Sequence, residues 1–351
     1  MTRTDPFFVV AALLFFSLAA GAVSIPRELP LGTSDFSHRS LGEACFAMDA
    51  VVDGLPCNPA FTAKERKSQF QTHIFFGNNV SYIRDVNDVL NNEADQKTIE
   101  RLFNQRRSSE MEASIEAGYL HEKYGFEFTP YRLTYYSLVR NSSLPVITLY
   151  AGEEQSARTQ LASYVNGDFF FGVQLRAVQR KFILSEFALT DALVEDGKDD
   201  IFKTQDHRAV YFEPGMLWFP EDQPWSPQFS LVLTQLGAVD HKYDELPASP
   251  ELHLGGSVKP PIHFGELELG TNLSLKSQYE KWTDLLRFAV SYTLGATQYV
   301  TSFTENQYAL SFLLHYKSVR GGLTYDYKRF ENLIGEMDQV GTVYLQVGIE
   351  I

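Results

Sequence analysis

Cysteine is nearly missing from this chain: Cys45 and Cys57 are the only two in 351 residues. That scarcity excludes a small fold stapled by several disulfides. Basic residues are outnumbered, 30 Lys and Arg against 44 Asp and Glu, for a formal charge of −14. A nucleic-acid partner is not expected, because phosphate binding needs a basic surface. Past Ser24 no segment approaches ~18 consecutive apolar residues, which excludes helical membrane spans. There is no glycine-rich phosphate loop, and His207, His241, His253 and His263 do not form a compact metal motif. No cofactor and no metal are expected. His253 and His263 fall on neighbouring predicted strands, within reach of each other, but polar-face histidines need no metal.

What is present begins with a signal-like N-terminus. Arg3 supplies a basic start and Phe7 to Ala20 an apolar core, with small residues at Ala20, Gly21, Ala22 and Ser24. This pattern reads as a signal peptide over 1–24, cleaved after Ala22 or Ser24. A membrane anchor is the alternative, though the run is short for a bilayer. An exported chain with 18 Tyr and 27 Phe but no helical spans points to β structure outside the cytoplasm. The acidic runs Glu195 to Asp200, Glu221-Asp222 and Asp240 to Glu245 read as solvated loops.

From Ser68 onward the chain alternates with period 2. Leu286, Phe288, Val290, Tyr292 and Leu294 share one face; Arg287, Ala289, Ser291 and Thr293 share the other. The same pattern recurs over 308–317, 323–328 and 342–351, and earlier over 111–119 and 169–178. Further strands are expected near 125–140, 144–165, 207–220, 226–237, 250–259, 263–274 and 296–304. The 144–165 stretch reads either as one long bent strand or as a hairpin through Glu153 to Ser156. A soluble periplasmic β protein also alternates. Strands of about ten residues, aromatic strand ends and alternation up to the final residue favour a membrane barrel. The expectation is all-β: a transmembrane antiparallel β-barrel of about 14 strands, with 12 to 16 open, over 67–351. Its location would be the outer membrane of a Gram-negative-type envelope, in contact with membrane lipid.

Two insertions read as helical. Val80, Ile83, Val86 and Val89, then Ile99, Leu102 and Phe103, recur at helical spacing within 80–106. A shorter helix is expected near 185–195, from Ser185 to Val194. Covering a barrel mouth is the simpler role for both; docking a protein partner is the other.

Residues 25–66 precede the barrel and are too short for a separate domain. They contain Gly42 to Ala47 ("GEACFA"), Asp49 and Asp53, then Asn58-Pro59-Ala60. This order of small residues, acid and Asn-Pro-Ala resembles the long-chain fatty-acid transporter superfamily of outer-membrane barrels. Its relatives include type IX secretion and conjugation-associated proteins. The resemblance covers the N-terminal motif and the plan of plug followed by barrel. It implies a plug or hatch segment carrying Ala47, Asp53, Asn58, Pro59 and Ala60. Proline stiffens such a turn, and the asparagine can satisfy backbone groups there. Cys45 and Cys57 stand outside that motif and enclose eleven residues. Export to an oxidising compartment favours a disulfide worth roughly 3 kcal/mol on the chain-entropy model; two buried free thiols are the alternative.

The polar strand faces would line the lumen: Glu112, Glu116, Gln174, Arg176, Arg180, Glu266, Glu268, Asn272, Arg287, Asp326 and Lys328. Their mixed signs suit internal ion pairing in a filled barrel better than a wide pore of one sign. His315 and Ser318 are the nearest approach to a hydrolytic pair, but no third group can be assigned, and an enzyme is not expected. Two functions remain. In one, a hydrophobic small molecule is bound or transported through a plugged lumen. In the other, the barrel is a scaffold or shuttle holding a secreted or periplasmic protein partner at a barrel mouth.

Overall fold

A strand that is apolar on one face and polar on the other must choose which face meets the outside. Here the apolar faces are the exposed ones. In β6 (Gln205–Trp218), Val210, Phe212, Met216 and Trp218 are exposed while His207, Tyr211 and Glu213 are buried. In β13 (Gln307–Tyr316), Leu310, Phe312 and Leu314 are exposed and Ser311 is buried. A soluble sandwich would bury the apolar face, so this inversion is the signature of a wall surrounded by an apolar solvent.

The computed structural model describes residues 36–50, 54–64, 68–78, 81–103, 109–139, 146–166, 168–188, 201–220, 223–239, 250–275, 282–331 and 337–351. The proposed signal peptide, Asp53 and the acidic runs 195–200, 221–222 and 240–245 lie outside them. The remaining wall segments are β1 (Gln69–Gly77), β2 (Ser109–Leu120), β3 (Tyr124–Val139), β4 (Val146–Asn166) and β5 (Phe169–Ala188). After β6 come β7 (Gln228–Thr234), β8 (Leu236–Val239), β9 (Glu251–Val258), β10 (Glu266–Leu275), β11 (Leu286–Leu294) and β12 (Thr297–Phe303). Following β13, β14 (Val319–Glu331) and β15 (Met337–Glu350) complete the wall. All pairings are antiparallel, and β1 pairs with β15 from Gln71↔Glu350 to Gly77↔Tyr344, closing the ring. Among the described residues every strand except the short β8 is paired on both sides, as a spanning sheet requires.

The segments β7 and β8 are two halves of one wall strand, so the barrel has 14 strands. Both pair with β6, across Gly215–Trp218 and Ala209–Phe212 respectively. Between them Gln235 takes φ +58°, and its backbone N–H donates to the Glu213 carboxylate at 3.2 Å. The cause is opposite: Pro214 has no N–H to give to the ladder.

Residues 146–166 form a single strand, with no hairpin at Glu153 to Ser156. The helix expected from Ser185 to Val194 is not found at its start. Ser185–Ala188 continue β5, paired with Leu149 down to Val146, because register with the long β4 overrides a short local helical pattern. Residues 189–195 lie outside the described residues.

The two ends differ. Residues 121–123, 295–296 and 317–318 are short turns at one end. The opposite end carries the long connections, including 78–108 between β1 and β2. Aromatic contacts mark both rims: Phe169, Trp218 and Phe229 stack at 5.9 and 5.3 Å near the short turns, and Tyr308 and Tyr327 at 4.6 Å near the other end. At 21 and 20 residues, β4 and β5 are about 65–70 Å long, far more than the ~30 Å hydrocarbon layer.

Helices α2 (Tyr82–Leu90) and α3 (Gln96–Phe103) lie within the long connection. Asp95 caps α3 by accepting the Thr98 N–H at 2.7 Å, and Arg101 bridges to Asp85 of α2 at 2.6 Å. Their buried residues Val86, Val89, Leu90, Ile99, Leu102 and Phe103 pack against Met111, Leu133, Tyr135, Leu149 and Ile183. Those wall residues have the opposite parity to the inward Glu112, Thr134, Tyr150 and Phe182. The helices therefore cover the outer face of the projecting β2–β5 extension and do not close the mouth.

Candidate functional site

The interior of the barrel is occupied by the chain's own N-terminal segment. Residues 36–41 form α1 (Phe36–Leu41), which Gly42 ends by adopting φ +58°. A 3₁₀ turn follows at Gly42–Phe46, and another at Pro59–Ala63. Asn58 caps the second: its side-chain oxygen accepts the Ala60 N–H at 3.0 Å while Pro59 fills the first helical position. Cys45 and Cys57 are joined by a disulfide, with Cα atoms 5.7 Å apart, which ties the two turns together.

The inner wall carries glycines opposite several parts of this segment. A Cβ on Gly172 would lie 2.5 Å from the Ala60 nitrogen; on Gly255, 2.5 Å from the Ala47 Cβ; on Gly322, 2.5 Å from the Phe36 ring. Gly215 faces Pro59 in the same way, and Gly270 faces Met48. Removing a side chain from the wall is what lets backbone and ring approach so closely.

Polar wall side chains then satisfy the segment's backbone. Gln160 donates to the Pro56 carbonyl (2.8 Å), Gln228 to that of Ala47 (2.9 Å) and Gln298 to that of Ala50 (2.7 Å). The Leu55 N–H donates to Glu127 at 3.0 Å, and Arg158 holds that same carboxylate. The Phe46 ring stacks on His253 with centroids 4.0 Å apart. At a second anchor, Asp49 pairs with Lys64 (2.9 Å) and with Lys259 (2.5 Å) in the connection after β9. Burial alone would raise the Asp49 carboxyl; the two lysines outweigh it and hold it well below the usual carboxylate range. Lys259 is burdened by burial too, but Asp49 raises its pKa overall.

The third anchor is Arg39, buried among Glu110 (3.1 Å), Glu112 and Asp326 (3.6 Å). The Tyr344 ring lies 4.7 Å beneath its guanidinium. Burial disfavours the charge, yet Glu112, Tyr344, Glu110 and Asp326 together raise the Arg39 pKa well above its ordinary value.

Of the residues expected at the site, Ala47, Asn58, Pro59 and Ala60 are buried in this segment. Glu112, Glu116, Arg176, Glu268, Arg287 and Asp326 are buried on the inner wall. Glu112 accepts from Arg132 (2.8 Å), Glu116 from Ser114 (3.2 Å), and Arg176 pairs with Glu213 (3.0 Å). Arg287 reaches the segment through Glu43 at 2.8 Å. Glu266 differs: it starts β10 and is exposed. His253 is buried in β9, whereas His263 is exposed in the connection after it, so the two do not share neighbouring strands as expected. His315 and Ser318 are exposed at the β13–β14 turn. His38 lies 3.5 Å from the Cys45 sulfur, but both sulfurs are committed to the disulfide rather than available to a metal.

Arg39, Glu110, Glu127 and Arg158 were not singled out from sequence, and Asp49 was read only as part of the N-terminal motif. Glu110, Glu127 and Arg158 had the signal of a charged residue on a strand's polar face. The glycines had one too, sitting on those same faces. Arg39 had none, since a cation in a short pre-barrel segment does not announce its partners.

No protein-family model matches the chain, and no curated protein matches it. Among solved structures it is similar to the Pseudomonas putida toluene transporter TodX, with a TM-score of 0.51 at 8% identity, covering 89% of this chain and 96% of that one. It is less similar to the CymD monoaromatic hydrocarbon channel, with a TM-score of 0.43 at 10% identity, covering 90% and 96%. The likeness to TodX is one of fold. The chain has the architecture of a closed 14-strand antiparallel β-barrel.

Proposed function

We propose that this protein is an outer-membrane barrel that binds or transports a hydrophobic small molecule, with residues 36–64 as a plug in its lumen. The observation that carries the reading is the glycine-lined seat: the inner wall gives up side chains where Phe36, Ala47, Met48 and Pro59-Ala60 press against it. A segment so fitted, yet joined to the wall among its described residues by side-chain contacts and not by a strand ladder, suits a hatch that shifts while the barrel stays closed. Similarity of fold to a toluene transporter supports an apolar cargo. The placing of Asn58-Pro59-Ala60 inside the barrel supports membership of the long-chain fatty-acid transporter superfamily. The short turns would face the periplasm and the long connections the exterior, as in other outer-membrane barrels. No reacting group is required of the protein, and we assign it no enzymatic activity.

Native mass spectrometry of the protein extracted in mild detergent from its own outer membrane tests this. A retained lipid-sized mass is expected. A retained protein of defined mass, with no small molecule, would favour the scaffold role instead.

A further inference from the structure

The connections after β6 and after β9 emerge at the end that carries the short turns, since Trp218 pairs with Phe169 and Glu266 with Thr293. They are longer than those turns, and they touch: the Lys259 N–H donates to the Trp225 carbonyl at 2.6 Å. Inward, the pair holds the N-terminal segment. Lys259 grips Asp49, and the Phe219 ring lies 4.3 Å from the ammonium of Lys64, which grips the same carboxylate. Outward, it leans over the wall. Tyr292 of β11 lies on the outer face with the exposed Phe288 and Leu294, and its hydroxyl donates to the Phe264 carbonyl at 3.2 Å. The far end of 259–265 therefore folds over the outer rim.

Three large apolar side chains stand on this surface: Trp225 is 57% exposed, Ile262 38% and Phe264 78%. Their backbone is braced. Trp225 and Ser226 take φ +70° and +43°, left-handed values that such residues rarely adopt, and Pro224, Pro227, Pro260 and Pro261 stiffen the two pieces. Trp225 also stands between Trp218 and Phe229 in the chain, and those two rings stack at 5.3 Å in the aromatic rim. The exposed patch thus continues the lipid-facing belt. Rings with an apolar body and a wet edge fit the headgroup zone of a bilayer. We propose that residues 223–227 and 259–265 form a lipid-docking foot: Trp225, Ile262 and Phe264 seat in the phospholipid headgroup zone at the short-turn end, and that seating keeps Lys259 on Asp49. The lipid contact rests on the outer-membrane reading, and the grip on the plug reading. A bilayer that binds only the seated arrangement of the foot shifts the segment toward its closed position.

The test uses the full chain in phospholipid vesicles. With Trp218→Phe and Trp282→Phe, Trp225 is the sole indole. Phospholipid brominated near the headgroup end of its acyl chains should quench its fluorescence several-fold more than phospholipid brominated near the methyl end. Iodide should quench it weakly. An indole open to iodide and untouched by either brominated lipid would face water, leave the surface to a soluble partner and overturn the proposal. Conductance in planar bilayers reads the grip. Trp225→Ser/Phe264→Ser should raise conductance several-fold, approaching Lys259→Ala, with the barrel intact by heat-modifiable mobility; if the pair fails to fold, Phe264→Ser replaces it. Wild-type conductance in the serine variant beside a leaking Lys259→Ala would overturn the grip. Deleting Ser40 to Ala60 separates these claims from the plug. If the deletion leaks, adding the serine pair should change nothing further, and an added leak would overturn the grip. If the deletion leaves conductance unchanged, the plug reading fails and the grip with it, while quenching still decides the lipid contact.

Discussion

Replacing Gly172 with alanine would put a methyl carbon 2.5 Å from both the Ala60 nitrogen and the Pro59 oxygen. Both neighbours are backbone, so neither can swing aside as the tip of a flexible side chain would. Either the wall or the turn must move. Gly172 lies in β5, which is laddered to β4 and β6 on its two sides. The turn at Pro59–Ala63 is held by a few side-chain hydrogen bonds, among them Thr62 to Gln160 at 2.7 Å. The turn should therefore yield. Overpacking of this kind costs typically 1–3 kcal/mol, and contact with backbone places it at about 2–3 kcal/mol. That is about a 30- to 150-fold rise in the ratio of displaced to seated segment. Conductance in planar lipid bilayers reads the displacement, and heat-modifiable gel mobility reports whether the barrel is intact. Gly321, one residue from the inward Gly322 and facing open space, is the control: Gly321→Ala should change neither readout. A folded Gly172→Ala barrel with wild-type conductance would refute the reasoning.

Three further outcomes follow from the anchors. Asp49 has a lowered pKa in the folded chain, so its contribution is present above its ordinary value of 3.8 and is lost as pH falls below it. Wild-type conductance should therefore rise on acidification below about pH 4, while Asp49→Asn leaks already at neutral pH and lacks that acid component. Cys45 and Cys57 should resist alkylation until reduced, and Cys57→Ser should weaken the fold of the segment by roughly 3 kcal/mol, read as increased leakage. Leu90→Ala opens a cavity between α2 and the outer wall and should cost about 2–5 kcal/mol locally, seen as faster proteolysis within 78–108 with unchanged conductance.

The barrel was legible because strand alternation is a local signal. The face assignments for 286–294 and 308–317 need only period 2, and a wall with lipid on one side and side chains on the other writes that period plainly. The failures lie where tertiary pairing overrules local pattern. Ser185–Ala188 carry a helical spacing, but register with Val146–Leu149 keeps them extended. The α2–α3 pair was legible as helices but not in place. Its apolar stripe says that something is covered, and only the long β2–β5 extension says it is the outside of the wall. At the candidate site, Asn58-Pro59-Ala60 was visible as a stiff turn, whereas its seat was not. Gly172 and Gly215 stand opposite each other in the β5–β6 ladder and meet the same turn through that register, which no sequence spacing encodes. Arg39 belongs to the same class: its partners are 71, 73 and, at Asp326, nearly 300 positions away.

The central claim is that residues 36–64 plug a barrel that stands without them. Its most direct test is the conductance, in planar bilayers, of a chain lacking Ser40 to Ala60, compared with the intact protein. The account predicts a folded, heat-modifiable barrel whose conductance rises well above that of the intact chain. A folded barrel with unchanged conductance would contradict it, because the segment would then fill the lumen without closing it.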